Sequence, residues 1–294
     1  MRKIRKSVIA GSWYPGNPSV LRDDIGLYLQ RVPDRQIPGE VIGLIVPHAG
    51  YMYSGQVAAY AYKLVHDNKY DVVILIGPSH RVAFRGVSVY SQGGYETPLG
   101  VVPVDELLAA EMMNATDIIV DYPPAHQREH SLEIQLPFLQ VVLGEFSFIP
   151  LVMGEQSRAV CRKLASAIHQ VSRNRRVLLV ASTDLSHFYE DKRARLIDAV
   201  VLDSIRKNDA DGLMKSLDEE KAEACGGGPM VAMMLAANLL GAGHSELLQY
   251  ANSGDITGDK SSVVGYASAV FYNCLLYTSP SPRDRTRSRM PSSA

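Results

Sequence analysis

Short apolar runs rich in β-branched residues recur along the chain and alternate with longer stretches that have helical spacing. The runs at 41–46 and 71–76 are continuous, which is typical of strands buried on both faces of a sheet. The same criteria predict strands at 146–153, 177–182, 246–251 and 262–272, with an alternating edge strand at 87–91. Apolar spacing of three and four residues predicts helices at 54–67, 104–114, 130–143, 157–173, 191–207 and 229–240.

The order of these elements predicts a single α/β domain. Strands that alternate with helices form a mostly parallel central sheet with helices on both of its faces. We expect Ser54 to cap the helix after the first strand, and Pro137 to interrupt the helix at 130–143. No Pro/Gly/Ser linker and no internal repeat divides the chain before residue 274, so the predicted domain spans 1–273.

The composition changes abruptly at Cys274. Residues 274–294 carry four Arg against one Asp, with many Ser, Pro and Thr and no apolar periodicity. Such a composition predicts a disordered tail. Because the string also resembles the in-frame translation of a sequencing adapter, we interpret 274–294 as a non-native or disordered tail outside the fold.

Composition and charge exclude several classes of protein. The chain of 294 residues is 46% hydrophobic, and its formal net charge of −1 becomes −4 without the four Arg and one Asp of 274–294. A mildly acidic chain does not favour a nucleic-acid partner. Three Cys are too few for a disulfide framework, which indicates a cytoplasmic protein. No apolar run reaches the roughly 18–20 residues that span a bilayer, so we expect no membrane association.

Histidines follow two of the predicted buried strands. His48 comes after the strand at 41–46, and His80 comes after the strand at 71–76. Ligands of open α/β sheets bind beyond the carboxyl ends of the strands. Two imidazoles with one anionic ligand form a common metal-binding arrangement, which makes His48 and His80 candidate metal ligands. The alternative is a pair of loop histidines that hydrogen-bond backbone carbonyls.

Asp184 and His187 follow the strand at 177–182 in an Asp-x-x-His turn. The carboxylate can bind a metal or orient an imidazole, and His187 can act as an acid or base near neutral pH. Locally, an Asx turn that caps the helix at 191–207 explains Asp184 equally well.

Three further residues are candidates for chemistry. Cys225 precedes three glycines at the start of the helix at 229–240, where a helix N-terminus favours a thiolate. Anion binding at that helix start is an alternative use of the glycines. His130 and Glu133 lie three residues apart on a predicted helix, so they share a face and serve either as an acid–base pair or as a solvated cap.

The chain lacks several familiar signatures. The sequence contains no phosphate-binding G-x-x-x-x-G-K-[ST] loop and no G-x-S-x-G nucleophile elbow. It also has no H-E-x-x-H motif and no paired C-x-x-C motifs. Nucleotide-binding proteins, serine hydrolases, zincins and zinc fingers are therefore disfavoured.

Taken together, several segments resemble those of the Memo family, whose prokaryotic members are called AmmeMemoRadiSam system protein B. The similar segments, in the family's order, are AGSWYP at 10–15, PHAGYMYSG at 47–55, GPSH at 77–80, EHSLEIQLPFL at 129–139, STDLSH at 182–187 and CGGGP at 225–229. The resemblance covers roughly 7–272. It implies a fold similar to that of class III extradiol dioxygenases.

The resemblance also implies a metal site made by His48, His80 and Cys225. Asp184 and His187 would line the pocket as catalytic residues, with Glu133 nearby. Because a thiolate replaces the carboxylate ligand of the dioxygenases, iron is the implied metal, with copper as an alternative. The family name further implies radical SAM and AMMECR-type partner proteins.

Three functions remain open on the sequence. The first is a metal-dependent redox enzyme or dioxygenase-like protein that acts on a small molecule. The second is a non-catalytic metal-binding or ligand-binding module that works with partner proteins. The third is a metallohydrolase in which His187 or Glu133 acts as the base for a metal-bound water.

Overall fold

A computed structural model of the chain describes residues 3–274. Apart from the backbone of Cys274, the predicted tail lies outside the described residues. The strands are β1 (Ile4–Arg5), β2 (Gly39–Val46), β3 (Val72–Pro78), β4 (Val87–Val89), β5 (Gly94–Thr97), β6 (Gly100–Pro103), β7 (Ile119–Asp121), β8 (Phe148–Met153), β9 (Val177–Ser182), β10 (His187–Tyr189), β11 (His244–Asn252) and β12 (Val263–Cys274). The helices are α1 (Pro18–Gln30), α2 (Tyr51–Lys63), α3 (Glu106–Ala115), α4 (Pro124–Gln127), α5 (Leu136–Leu143), α6 (Arg158–Ser172), α7 (Asp191–Arg206), α8 (Ala210–Asp218), α9 (Gly227–Leu239) and α10 (Ser253–Thr257).

The large sheet has a parallel centre and antiparallel flanks. Its strand order is β10-β12-β2-β9-β3-β8-β4-β7, with β11 paired to β12, and β2, β9, β3 and β8 run parallel. This confirms the α/β class and the parallel central sheet. The flanks differ from the prediction because β11 and β12 are joined through the short α10, and a short connection makes neighbouring strands antiparallel.

A second, three-stranded sheet is formed by β1, β5 and β6. The sequence did not predict this sheet, since its strands are only two to four residues long. The predicted edge position of β4 is also wrong, because β7 pairs with β4 and takes the edge itself.

The core lies on both faces of the central strands. All seven residues of β3 and all six residues of β9 are buried, as their continuous apolar sequences require. Helix α9 packs against β2, β3 and β9 and is covered by α6, while α2 packs against β2 and β12 together with α1 and α5. Each fully buried Leu or Ile of these strands contributes about 1.5–3 kcal/mol of transfer free energy.

Two local predictions need correction. Helix α2 begins at Tyr51, three residues earlier than predicted, so Ser54 lies inside its first turn and donates a hydrogen bond to the Ala49 carbonyl. The predicted helix at 130–143 is a 3-10 turn over Glu133–Gln135 followed by α5. Pro137 lies in the first turn of α5, where its missing N–H costs nothing, so it begins a helix rather than interrupting one.

The topology brings three loops together. Strands β2, β9 and β3 are adjacent and parallel, so their carboxyl ends meet at one edge of the sheet. The residues that follow them carry His48, Asp184 and His80, respectively. Within residues 3–274, no helix combines the length and the apolar character that crossing a bilayer requires.

Candidate metal centre at the strand ends

His48, His80 and Cys225 form a compact cluster of possible ligands. One ligand atom from each of them lies within 4.8 Å of the others. The Cys225 Sγ is 3.1 Å from the His48 Nε2, and the two imidazole rings are perpendicular with centroids 5.1 Å apart. The structure therefore brings together the three residues that the sequence predicts as metal ligands.

Hydrogen bonds fix the orientation and the tautomer of His48. The Ser182 Oγ lies 2.6 Å from the Ser131 carbonyl and 3.1 Å from the His48 Nδ1. The hydroxyl proton must go to Ser131, because a carbonyl oxygen cannot donate. His48 therefore carries its proton on Nδ1 and leaves the Nε2 lone pair facing Cys225. Burial also lowers the pKa of His48 well below its ordinary value, which keeps the ring neutral and able to bind a metal.

A buried carboxylate orients His80. The Glu129 Oε1 accepts a hydrogen bond from the His80 Nδ1 at 2.9 Å, and its Oε2 accepts one from the His80 backbone N–H at 2.6 Å. Burial alone would raise the pKa of Glu129, but the hydrogen bonds that it accepts from His80 and from the Ser131 backbone N–H lower it to about 2. In many metal sites a carboxylate accepts a hydrogen bond from the Nδ1 of a ligating histidine. This contact orients the imidazole and leaves its Nε2 free to bind the metal. The His80 side chain remains 27% exposed.

The backbone around Asp184 holds Cys225 in place. The Asp184 N–H lies 3.3 Å from the Cys225 Sγ, and the Asp184 carbonyl accepts the Cys225 N–H at 3.2 Å. Gly226 allows this close approach, since a Cβ at that position would lie 2.5 Å from the Ser182 carbonyl oxygen. Burial, followed by the charge of Asp184, raises the pKa of the Cys225 thiol to about 12. A bound cation reverses that effect, because a coordinating thiol is deprotonated.

The donor set fits a metal ion. Two neutral imidazole nitrogens and one thiolate are ligands for zinc, iron or copper and are poor ligands for calcium or magnesium. His130 extends the cluster, because its ring stacks on His80 at 4.5 Å and groups with His80 and Glu129 as a second set of possible ligands. Burial lowers the pKa of His130 to about 4, so this ring is also neutral.

Asp184 and His187 lie where the sequence places them, beside the cluster. The Asp184 carboxylate accepts the His48 backbone N–H at 2.7 Å, and burial raises its pKa to about 7. The His187 side chain is 29% exposed, and its backbone N–H donates to Glu223 at 3.1 Å. Burial also lowers the pKa of His187. Both residues line a cavity of about 710 Å³.

Glu133 does not join the cluster. Its buried carboxylate forms an ion pair with Arg5 at 2.6 Å and accepts hydrogen bonds from the segment that follows β1. The donors are the hydroxyls of Ser7 and Tyr14 and the backbone N–H groups of Val8 and Ile9. These contacts fill its acceptor sites, so the structure gives Glu133 the role of holding the N-terminal segment.

Aromatic side chains line much of the 710 Å³ cavity. They are Trp13, Tyr14, Tyr28, Tyr51, Tyr53 and Tyr266. Trp13 belongs to the segment held by Glu133, and its carbonyl accepts the N–H of Tyr51 at the start of α2. The cavity is therefore walled by the N-terminal segment on one side and by α2 on the other.

Sequence reasoning missed Glu129, the carboxylate that contacts His80. His80 and Glu129 are 49 residues apart, and no spacing rule connects them. The available signal was that Glu129 and Glu133 flank one short segment of otherwise buried residues, where each carboxylate needs a partner.

The chain matches the family described as Memo-like protein over residues 5–270. A MEMO1 family protein of Nitrosopumilus maritimus is 38% identical over 273 residues, which cover 91% of this chain and 99% of that protein. A MEMO1 family protein of Thermotoga neapolitana is 38% identical over 278 residues, with coverage of 91% and 99%. Among solved structures, an uncharacterized protein of Escherichia coli K12 aligns with a TM-score of 0.47 and 12% identity, over 78% of this chain and 99% of that one. Because the family match covers residues 5–270 and these relatives are 38% identical along 91% of the chain, the chain belongs to the Memo-like family.

Proposed function

We propose that this protein is a metal-dependent redox enzyme, dioxygenase-like in its chemistry, that acts on a small organic molecule. The observation that carries the proposal is the convergence of His48, His80 and Cys225, whose ligand atoms lie within 4.8 Å of one another. The adjoining aromatic-lined cavity supports it, because ligand pockets of enzymes are mostly apolar with a few polar groups at one end.

The donor set favours iron as the metal, with copper as the alternative. Thiolate and imidazole ligands suit both ions, and the carboxylates nearest to the cluster are engaged in other contacts. A redox metal held by these residues would supply electron transfer and Lewis acidity to a bound substrate.

The residues around the cluster supply proton transfer and orientation. His187 lies at the cavity wall with a lowered pKa, so near neutral pH its imidazole nitrogen is free to accept a proton. The Asp184 carboxyl, with a pKa near 7, holds or releases a proton in the same range. The aromatic wall offers apolar contacts to a bound molecule.

Metal analysis of purified protein tests the proposal. We would express the chain anaerobically with iron or copper and measure bound metal for wild type, His48→Ala, His80→Ala and Cys225→Ser. Cys161→Ser is the matched control, since Cys161 is a free, buried cysteine on α6 outside the cluster. We expect near-stoichiometric metal in wild type and in the control, and at least a tenfold loss in the three ligand variants.

Equal metal loading in all of these proteins would refute the site. Zinc as the only retained metal would favour the metallohydrolase alternative. Metal binding without turnover of any phenol or catechol, and without an effect of His187→Ala, would favour a binding module that works with partner proteins.

A further inference from the structure

A second, smaller cavity lies beside the metal cluster. Its volume is about 220 Å³, and its lining includes Trp13, His130, Arg81 and Arg128. Ser12 and Trp13 line this cavity and the 710 Å³ cavity as well, so the two cavities are neighbours. We refer to the smaller one as the arginine pocket.

The two arginines reach this pocket through the contact between His80 and Glu129. Arg81 directly follows His80, and Arg128 directly precedes Glu129. Two hydrogen bonds join His80 to Glu129, and they bring the two loops together. Both arginines are exposed. Within residues 3–274, neither guanidinium has a hydrogen bond or an ion pair with another side chain.

The neighbouring rings of Trp13, His130 and His80 connect the arginine pocket to the metal cluster. The Trp13 and His130 centroids are 4.5 Å apart, and the His130 and His80 centroids are also 4.5 Å apart. His130 therefore lines the pocket and also stacks on His80, a predicted metal ligand. A group bound by the arginines lies next to the proposed centre.

The two cavities differ in charge. Of the described residues that line the 710 Å³ cavity, none is Lys or Arg, and its carboxylates are Asp24 and Asp184. An anionic group finds no Lys or Arg there, whereas in the arginine pocket two guanidinium groups offer forked donors to a carboxylate or a phosphate. A pocket of about 220 Å³ has room for such a group.

We infer that the substrate is an apolar or aromatic molecule with an oxyanion group, whose body lies in the aromatic cavity while Arg81 and Arg128 bind its carboxylate or phosphate. The role of this pocket in turnover rests on the proposed function. The binding of the anion does not, because it requires only the protein.

The single Trp of the chain makes the test direct. Trp13 lines both cavities, so intrinsic fluorescence of metal-free protein reports binding to either one. The probes are cyclohexanecarboxylate, inorganic phosphate and neutral cyclohexanecarboxamide, which do not absorb where Trp emits. The proteins are wild type, Arg81→Gln, Arg128→Gln and the double variant. Arg85→Gln is the matched control, since Arg85 is exposed on the same loop but lines neither cavity.

We expect saturable fluorescence changes with the anions and binding of the amide that is at least tenfold weaker. Each arginine variant should weaken anion binding by about tenfold, and Arg85→Gln should leave it unchanged. If phosphate binds more tightly than cyclohexanecarboxylate, the anionic group of the substrate is a phosphate ester. If cyclohexanecarboxylate binds more tightly, that group is a carboxylate. Equal affinities for anion and amide, no binding of either anion, or an unchanged affinity in the double variant would overturn the inference. Metal content measured on the same variants separates this result from failure of the proposed metal site.

Discussion

Replacing Glu133 with alanine should destabilise the protein strongly while leaving the metal cluster intact. The carboxylate is fully buried and is the counter-charge of Arg5, which is itself 5% exposed. After the substitution, the Arg5 guanidinium keeps its hydrogen bonds to the carbonyls of His126 and Glu129 but has no negative partner. The N–H donors of Val8 and Ile9 also lose their acceptor.

The magnitude follows from the loss of one partner of a buried ion pair. Such a loss costs about 3–5 kcal/mol in the free energy of unfolding, because the remaining charge stays buried without compensation. At this chain length 1 kcal/mol corresponds to roughly 2 °C, so the melting temperature should fall by about 6–10 °C. Glu145→Ala is the control, since Glu145 is an exposed glutamate, and it should stay within about 0.5 kcal/mol of wild type.

Urea unfolding and thermal melts of metal-free protein measure this cost, and metal content of reconstituted protein measures the cluster. We expect a large loss of stability with at least half of the metal retained at low temperature. A melting temperature within 2 °C of wild type would refute the structural role. A folded Glu133→Ala protein with unchanged stability and no turnover would instead restore Glu133 as a catalytic residue.

Three other outcomes follow from the contacts. Burial alone would raise the pKa of Glu133, but the charge of Arg5 keeps it below its ordinary value of 4.5. In urea titrations, the difference in unfolding free energy between wild type and Glu133→Gln should therefore be complete above pH 4.5 and should shrink as the pH falls below that value. Ser182→Ala should weaken metal affinity in chelator competition by about tenfold, because the acceptor of the His48 Nδ1 proton is lost; equal affinity would contradict the assigned tautomer. Gly226→Ala should lower both metal affinity and melting temperature, since its Cβ meets the Ser182 carbonyl, whereas Gly243→Ala meets no atom within 4 Å and should change neither.

The central part of the fold was predictable because its sequence has one interpretation. Continuous apolar runs such as those of β3 and β9 bury both faces, and the predicted bounds of β9 agree with the structure. A short strand such as β7 has no such pattern, because two of its three residues are exposed and its pairing with β4 stabilises it. Helix α1 was missed even though Asn17 caps it and Pro18 begins it.

The candidate ligands His48 and His80 could be predicted from where strands end, whereas the family resemblance implied Cys225 as the third ligand, and the partners of these residues could not be predicted. His48 and His80 follow buried parallel strands, and parallel topology alone brings them together. Glu133 was assigned to the site from the family resemblance and from the assumption of a regular helix from 130. In the structure His130 lies before the first helical turn, which begins at Glu133, and the Glu133 carboxylate contacts Arg5. Apolar spacing in the sequence does not mark where that first turn begins.

The segment 129–133 connects the two halves of the proposed site. Glu129 at its start holds the ligand His80, and Glu133 at its end holds the N-terminal segment that carries Trp13. A displacement of this segment would alter both the geometry of the metal cluster and the position of Trp13, which lines both cavities. Substitutions at the two ends of the segment should nevertheless have different effects, because each carboxylate has its own set of donors. Glu129→Gln should first weaken the metal affinity. Glu133→Gln should first loosen the N-terminal segment that carries Trp13.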